Sequence, residues 1–285
     1  MTRFAPRGLL AGLPGLLALG LLALGAMSCA GPSTDVAWDA QDPANPARLD
    51  HSEWQALLDA YLVTDDPSGV HLVDYGKLQA NAADRARLVG YIDELQRLDP
   101  REYAKDVQMA YWINLYNAVT LRVVVDEYPV ESIKDIHEGL IPNTGPWRDV
   151  HAMVAGHPLT LDNIEHDILR PIWRDSRIHY GVNCASIGCP NLAPEAYTAE
   201  NLERLLDRAA RDYVNHPRGV TLRDEASGVV SSIYFWYRED FGDSEAGVLE
   251  HLRKYAEGDL AEQLRDFDGS LDHDYDWSLN APDVP

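Results

Sequence analysis

Cysteine is scarce in this chain, with three among 285 residues, at positions 29, 184 and 189. So few exclude a scaffold built from disulfides. Basic side chains are also few: 24 Lys and Arg stand against 46 Asp and Glu, a formal charge of −22. Nucleic acid and anionic membrane surfaces are thereby excluded as partners, because binding them needs cationic side chains to neutralise phosphates. No internal repeat recurs. Aromatic residues are plentiful, with seven Trp and fourteen Tyr, enough for a substantial core.

The longest apolar stretch lies at the beginning. Arg3 and Arg7 precede "LLAGLPGLLALGLLALGAM", which ends at Ala26-Met27-Ser28-Cys29. A basic start, an apolar run and small residues before a cleavage point describe a secretory signal over residues 1–28. Cysteine after that small residue resembles the lipobox of bacterial lipoproteins, although Leu is usual where Ala26 stands and Met27 is unusual. A plain signal peptide or an uncleaved anchor stays open, since the stretch is about long enough to span a bilayer. The lipoprotein reading implies a diacylated Cys29 and a stable membrane anchor. It also implies a bacterial envelope location, at the outer membrane facing the periplasm. Cleavage would remove Arg3 and Arg7 and make the remainder two charges more negative.

Residues 29–49, rich in Pro, Ala and Asp, read as a flexible tether. A single domain is expected over 50–270, followed by an acidic and aromatic tail at 271–285 that is loosely ordered. Ser52 with Gln55 resembles a capping box opening one helix, and Asn81 opens a second. Pro100 starts a third and longer helix, which Pro129 ends. "WRDVHAMVAGHPLTL" predicts two strands around Gly156, and "DNIEHDILR" a short helix. "RIHYGVN" alternates as a strand that delivers Cys184 to its end. Thr198 caps a helix, a further strand is expected at "VTLRDE", and Ala226-Ser227-Gly228 turns the chain into "VVSSIYFWYREDFG". The sum is α+β, a helix-rich domain around a small, mainly antiparallel central sheet.

The chemistry concentrates in three places. On the long helix Trp112, Asn114, Tyr116 and Asn117 form "WINLYN"; Asn114 and Asn117 share a face and either line a pocket or satisfy buried backbone. "DNIEHDILR" carries Glu165, His166 and Arg170, a carboxylate and an imidazole on a helix whose Arg170 shares His166's side. "HYGVNCASIGCP" carries His179, Asn183, Cys184 and Cys189. Cys184 at a strand end is a candidate nucleophile, with loop N–H groups as an oxyanion hole. In an oxidising compartment the same pair is a candidate Cys184–Cys189 disulfide. The spacing is not that of a zinc knuckle, and neither metal nor cofactor is expected.

Together "WINLYN", "LDNIEHDILR", "RIHYGVNCASIGCP", "AYTAENLERLLDRAARDYVN" and "SSIYFWYREDFG" resemble the domain-of-unknown-function family 547, found in bacterial secreted proteins and plant leucine-zipper proteins. The resemblance covers about residues 100–242 and implies a shared site without implying a reaction. Two functions stay open. One is a thiol-dependent hydrolase or acyl transferase on peptide-like or thiol-containing substrates. It would use Cys184 with His166 or His179, Glu165 orienting the imidazole, and Asn114, Asn117, Tyr116, Trp112, Asn183 and Arg170 binding substrate. The other is a non-catalytic module that binds a peptide or small molecule and is braced by the disulfide.

Overall fold

In the computed structural model, residues 36–137 and 144–282 are described. The signal stretch and Cys29 lie outside them. The described residues belong to one compact unit, Gly31–Pro285, and none of their helices is long and apolar enough to cross a membrane.

The first half is helical. α1 (Ser52–Tyr61) leads through a short antiparallel pair, β1 (Leu62–Val63) and β2 (Leu72–Val73), to α2 (Tyr75–Ala80), α3 (Ala82–Arg97) and α4 (Lys105–Glu127). Asn81 caps α3 as expected, its side chain accepting from Ala83 and Asp84 N–H. The capping box at α1 does not form; Gln55 instead binds Pro194 O and Ala196 N–H. Pro100 opens only a 3₁₀ turn, and α4 begins at Lys105. Nearly every residue of α4 from Val107 to Val125 is buried, so it is a central helix without a solvent face. The supposed tether is partly docked on it, for Trp38 is buried edge-on against Trp112 with ring centroids 5.3 Å apart.

β3 (Val150–Val154) and β4 (His157–Thr160) form the expected hairpin. There follow a π-helical segment, Asn163–Leu169, then α5 (Arg170–Trp173), α6 (Ile178–Gly181) and α7 (Leu202–Val214). Last come β5 (Val220–Leu222), β6 (Ser227–Ser231), α8 (Ile233–Trp236), α9 (Glu245–Tyr255), α10 (Gly258–Arg265) and β7 (Ser270–Asp274). The fold is helix-rich α+β. Its strands are distributed over three small sheets rather than one central one, and β7 joins β6 in parallel.

Two expectations are corrected. "RIHYGVN" is one helical turn and an extended exit, not a strand. Ile178, His179, Tyr180 and Gly181 are all buried, so no face-to-face alternation exists for a strand to express. The tail is part of the fold. Leu279 and Asn280 are buried, Asn280 N–H donates to Ala185 O, and Ile187 and Gly188 N–H donate to Ser278 O and Asp276 O. Gly188 permits this approach, because a Cβ there would stand 2.8 Å from Asp276 N.

Candidate active site

The tail, the loop after α6, the π-helical segment and α8 enclose a cavity of about 690 Å³. Its walls include Tyr116, Glu165, His166, His179, Cys184, Cys189, Trp236, Tyr237, Tyr275 and Trp277. The volume suits a small organic ligand.

Cys184 opens partly onto this space, whereas Cys189 is buried; both are free thiols. The Cys184 sulfur lies 3.0 Å from the Tyr275 hydroxyl and 3.2 Å from Ser186 Oγ. The hydrogen bond from the Cys189 thiol, then those from Ser186 and Tyr275, hold Cys184 below the usual thiol range against the effect of burial. Burial and the neighbouring Cys184 push Cys189 well up, so it stays protonated. The two sulfurs are therefore unlike: one is partly open with a lowered pKa, the other buried with a raised one.

The loop N–H groups do not form the expected oxyanion hole. Cys184 N–H donates to Cys189 Sγ, Ala185 to Asn183 Oδ1, and Cys189 to Ser186 O; Ile187 and Gly188 bind the tail. Two phenols in the wall are candidate donors instead. Tyr116 and Tyr237 line the cavity, and neither hydroxyl makes a hydrogen bond within the described protein. Burial raises both pKa values, so both remain O–H donors.

His179 is a buried keystone between two carboxylates. Its Nε2 lies 2.7 Å from Asp240 Oδ2 and its Nδ1 3.5 Å from Glu165 Oε1, while Tyr237 stacks on its ring at 4.2 Å. Burial alone would lower its pKa, but Asp240 and Glu165 together raise it. Burial likewise opposes ionisation of Asp240 and Glu165, yet His179 and Arg170 bring Asp240 down to about 2. His179 and the charges around it leave Glu165 below its usual range. With both nitrogens engaged, His179 is not available as a general base.

Glu165 and His166 are neighbours on the π-helical segment and point in different directions, as consecutive helical residues do. Glu165 points to His179. His166 turns to the cavity, with Arg170 donating to its Nδ1 at 3.2 Å, so the neutral ring carries its proton on Nε2. Arg170 is a clamp rather than a cavity residue. Its guanidinium also binds Asp240 at 2.6 Å and Glu239, and it covers Tyr237.

Asn114 and Asn117 lie away from the cavity. Asn114 exchanges two hydrogen bonds with the Tyr197 backbone, and Asn117 bridges Gly181 O and Asn183 N–H. Asn183 in turn donates to Pro190 O at 2.8 Å. Trp112 is fully buried against Trp38 and Tyr111. These amides fix the loop that carries Cys184. Sequence reasoning missed Ser186, Tyr237, Asp240 and Tyr275 as site residues. The dense aromatics of "YFWYRED" and "DYDW" were the signal available. Among the described residues, no group of three His, Cys, Asp or Glu is placed to hold a metal ion.

The charged cluster makes stability depend on pH. The raised His179 pKa contributes fully below about pH 6.5 and loses its effect as pH rises through the folded value. The depressed Asp240 and Glu165 contribute above about pH 4.5 and lose theirs as pH falls, Asp240 last at about 2. The melting temperature is expected to peak between those limits, and His179→Gln to flatten the alkaline side of the profile. Identical profiles for the two proteins would contradict this account.

The fold and cavity thus define a helix-rich α+β protein with a cysteine-centred site. Residues 100–214 match the model of a family described as protein of unknown function, DUF547. That segment holds α4, the π-helical turn and both site cysteines, whereas Tyr237, Asp240 and Tyr275 lie beyond it. Neither a curated protein nor a solved structure matches the chain.

Proposed function

We propose that the protein is a thiol-dependent hydrolase or acyl transferase that takes peptide-like or thiol-containing acyl substrates in its aromatic cavity. The observation that carries this reading is the Cys184 sulfur. It lines the cavity within hydrogen-bond distance of the Tyr275 hydroxyl at 3.0 Å and Ser186 Oγ at 3.2 Å, a polar setting that favours the thiolate. In the reaction the thiolate attacks the carbonyl carbon, and the Tyr116 and Tyr237 hydroxyls hold the developing oxyanion. His166 Nε2–H holds the leaving atom by a hydrogen bond while the leaving group takes its proton from solvent water. The resulting thioester passes its acyl group to water or an acceptor thiol, whose proton goes to solvent while Cys184 leaves as thiolate. Glu165, Asp240 and Arg170 fix the surrounding geometry. We further propose that Cys29 carries the lipid anchor and that the domain works in the bacterial envelope, at the outer membrane facing the periplasm.

The test is acylation by p-nitrophenyl acetate. A burst of p-nitrophenol is expected, with one acetyl group on the tryptic peptide 178–204 at Cys184 and no burst from Cys184→Ser. Steady release at the same rate from both proteins would overturn the nucleophile. The competing reading, a non-catalytic binding module braced by a Cys184–Cys189 disulfide, predicts no acetylation at all.

A further inference from the structure

Acyl transfer leaves the second cysteine without a chemical task. Cys189 also lines the cavity but is only 5 % exposed, whereas Cys184 is partly open. Cys184 N–H donates to Cys189 Sγ at 3.0 Å, which places the two side chains together. The loop between them needs no covalent brace. Ile187 and Gly188 are each held by the tail at 2.8 Å, and Cys189 N–H closes a turn onto Ser186 O at 3.1 Å. A bond between the sulfurs is therefore a chemical state of the site rather than a support of the fold.

We infer that Cys184 and Cys189 form a thiol–disulfide exchange pair acting on small disulfides that carry no negative charge, with Cys184 attacking and Cys189 resolving. This deepens the thiolate reading above and rests on it. The difference in exposure sets the order, since partly open Cys184 is the more accessible of the two to an incoming disulfide. The Cys184 thiolate attacks one sulfur of R–S–S–R; that S–S bond breaks, RS⁻ leaves and a mixed disulfide forms on Cys184. Cys189 gives its proton to the departing thiolate, and its sulfur attacks Cys184 Sγ. The second RS⁻ leaves as the Cys184–Cys189 disulfide forms. Two electrons pass to the substrate, and a low-molecular-weight thiol restores the pair.

The walls set the ligand class. Trp147, Trp277, Trp236 and Tyr275 are in continuous ring contact, with centroids 4.6–5.6 Å apart, and this surface ends at the Tyr275 hydroxyl on Cys184. Asp149, Asp162 and Glu165 line the same cavity against Arg148 and His179, so the balance against anionic substrates comes from the chain's net charge of −22.

The experiment treats the reduced full chain with 4,4′-dithiodipyridine and maps the tryptic peptides. Both cysteines fall on the peptide 178–204, apart from Cys29. The expected product is an internal Cys184–Cys189 disulfide, with two thiopyridones released from that peptide. Cys189→Ser is expected to stop at a mixed disulfide on Cys184 after one. Wild type stopping at the same mixed disulfide would remove Cys189 as resolver and leave the thiolate reading standing. No reaction at Cys184 in either protein would overturn both. Cystamine is expected to react about tenfold faster than 3,3′-dithiodipropionate, after normalisation to free cysteine; equal rates would overturn the ligand class.

Discussion

His179→Ala is expected to destabilise the protein by about 3–5 kcal/mol, the usual cost of breaking a buried ion pair from one side. Among the described residues, the His179 ring alone bonds both Glu165 and Asp240. Removing it leaves the buried Glu165 with the more distant charge of Arg170, and leaves a void beneath Tyr237. Urea unfolding should show a lower midpoint with an unchanged slope, and the melting temperature should fall by roughly 10 °C for a domain of this size. Glu165→Gln in the His179→Ala background should recover part of the loss, because it removes the stranded charge. A single-variant loss below about 1 kcal/mol would show that the cluster is not the keystone described here.

The second large effect concerns catalysis. Replacing both Tyr116 and Tyr237 by Phe is expected to slow acetylation of Cys184 by about 10²–10³-fold, the range for losing preorganised oxyanion donors. The substitutions remove two hydroxyls and keep the rings, so the stack on His179 persists. Neither hydroxyl bonds the Cys184 sulfur, whose partners are Tyr275, Ser186 and Cys189. Alkylation of Cys184 by iodoacetamide, which develops no oxyanion, should therefore keep its rate. A parallel fall in acetylation and alkylation would assign the tyrosines to packing and sink the oxyanion role.

The parts of this molecule legible in the sequence are those governed by local rules. α4 follows from a long apolar stretch bounded by two prolines, α3 from Asn81, and the β3–β4 hairpin from its turn at Gly156. The proximity of Glu165, His166, His179 and Cys184 was legible only as a coincidence of chemistry-bearing motifs. What failed depends on distant chain. Four residues of α6 are too few to reveal a period, and their burial on all sides erases it. The roles of Asn114 and Asn117 depend on Tyr197, Gly181 and Asn183, which are 64–83 residues away. The acidic tail looks unstructured because its order comes from Ala185, Ile187 and Gly188 and from pairing with β6. No local pattern encodes those contacts.

That last dependence has a consequence for biosynthesis. Tyr275 follows Cys184 by 91 residues, and Trp277 and the Asp276–Ser278 ladder follow later still. On the ribosome, Cys184 and Cys189 would be translated and begin to fold well before the hydroxyl and the strand that complete their surroundings. The nascent thiol would lack one of its hydrogen-bond donors and one wall of its cavity. Reactivity would then switch on only once residues 275–280 have docked, so the site is spared premature acylation and oxidation before it is complete.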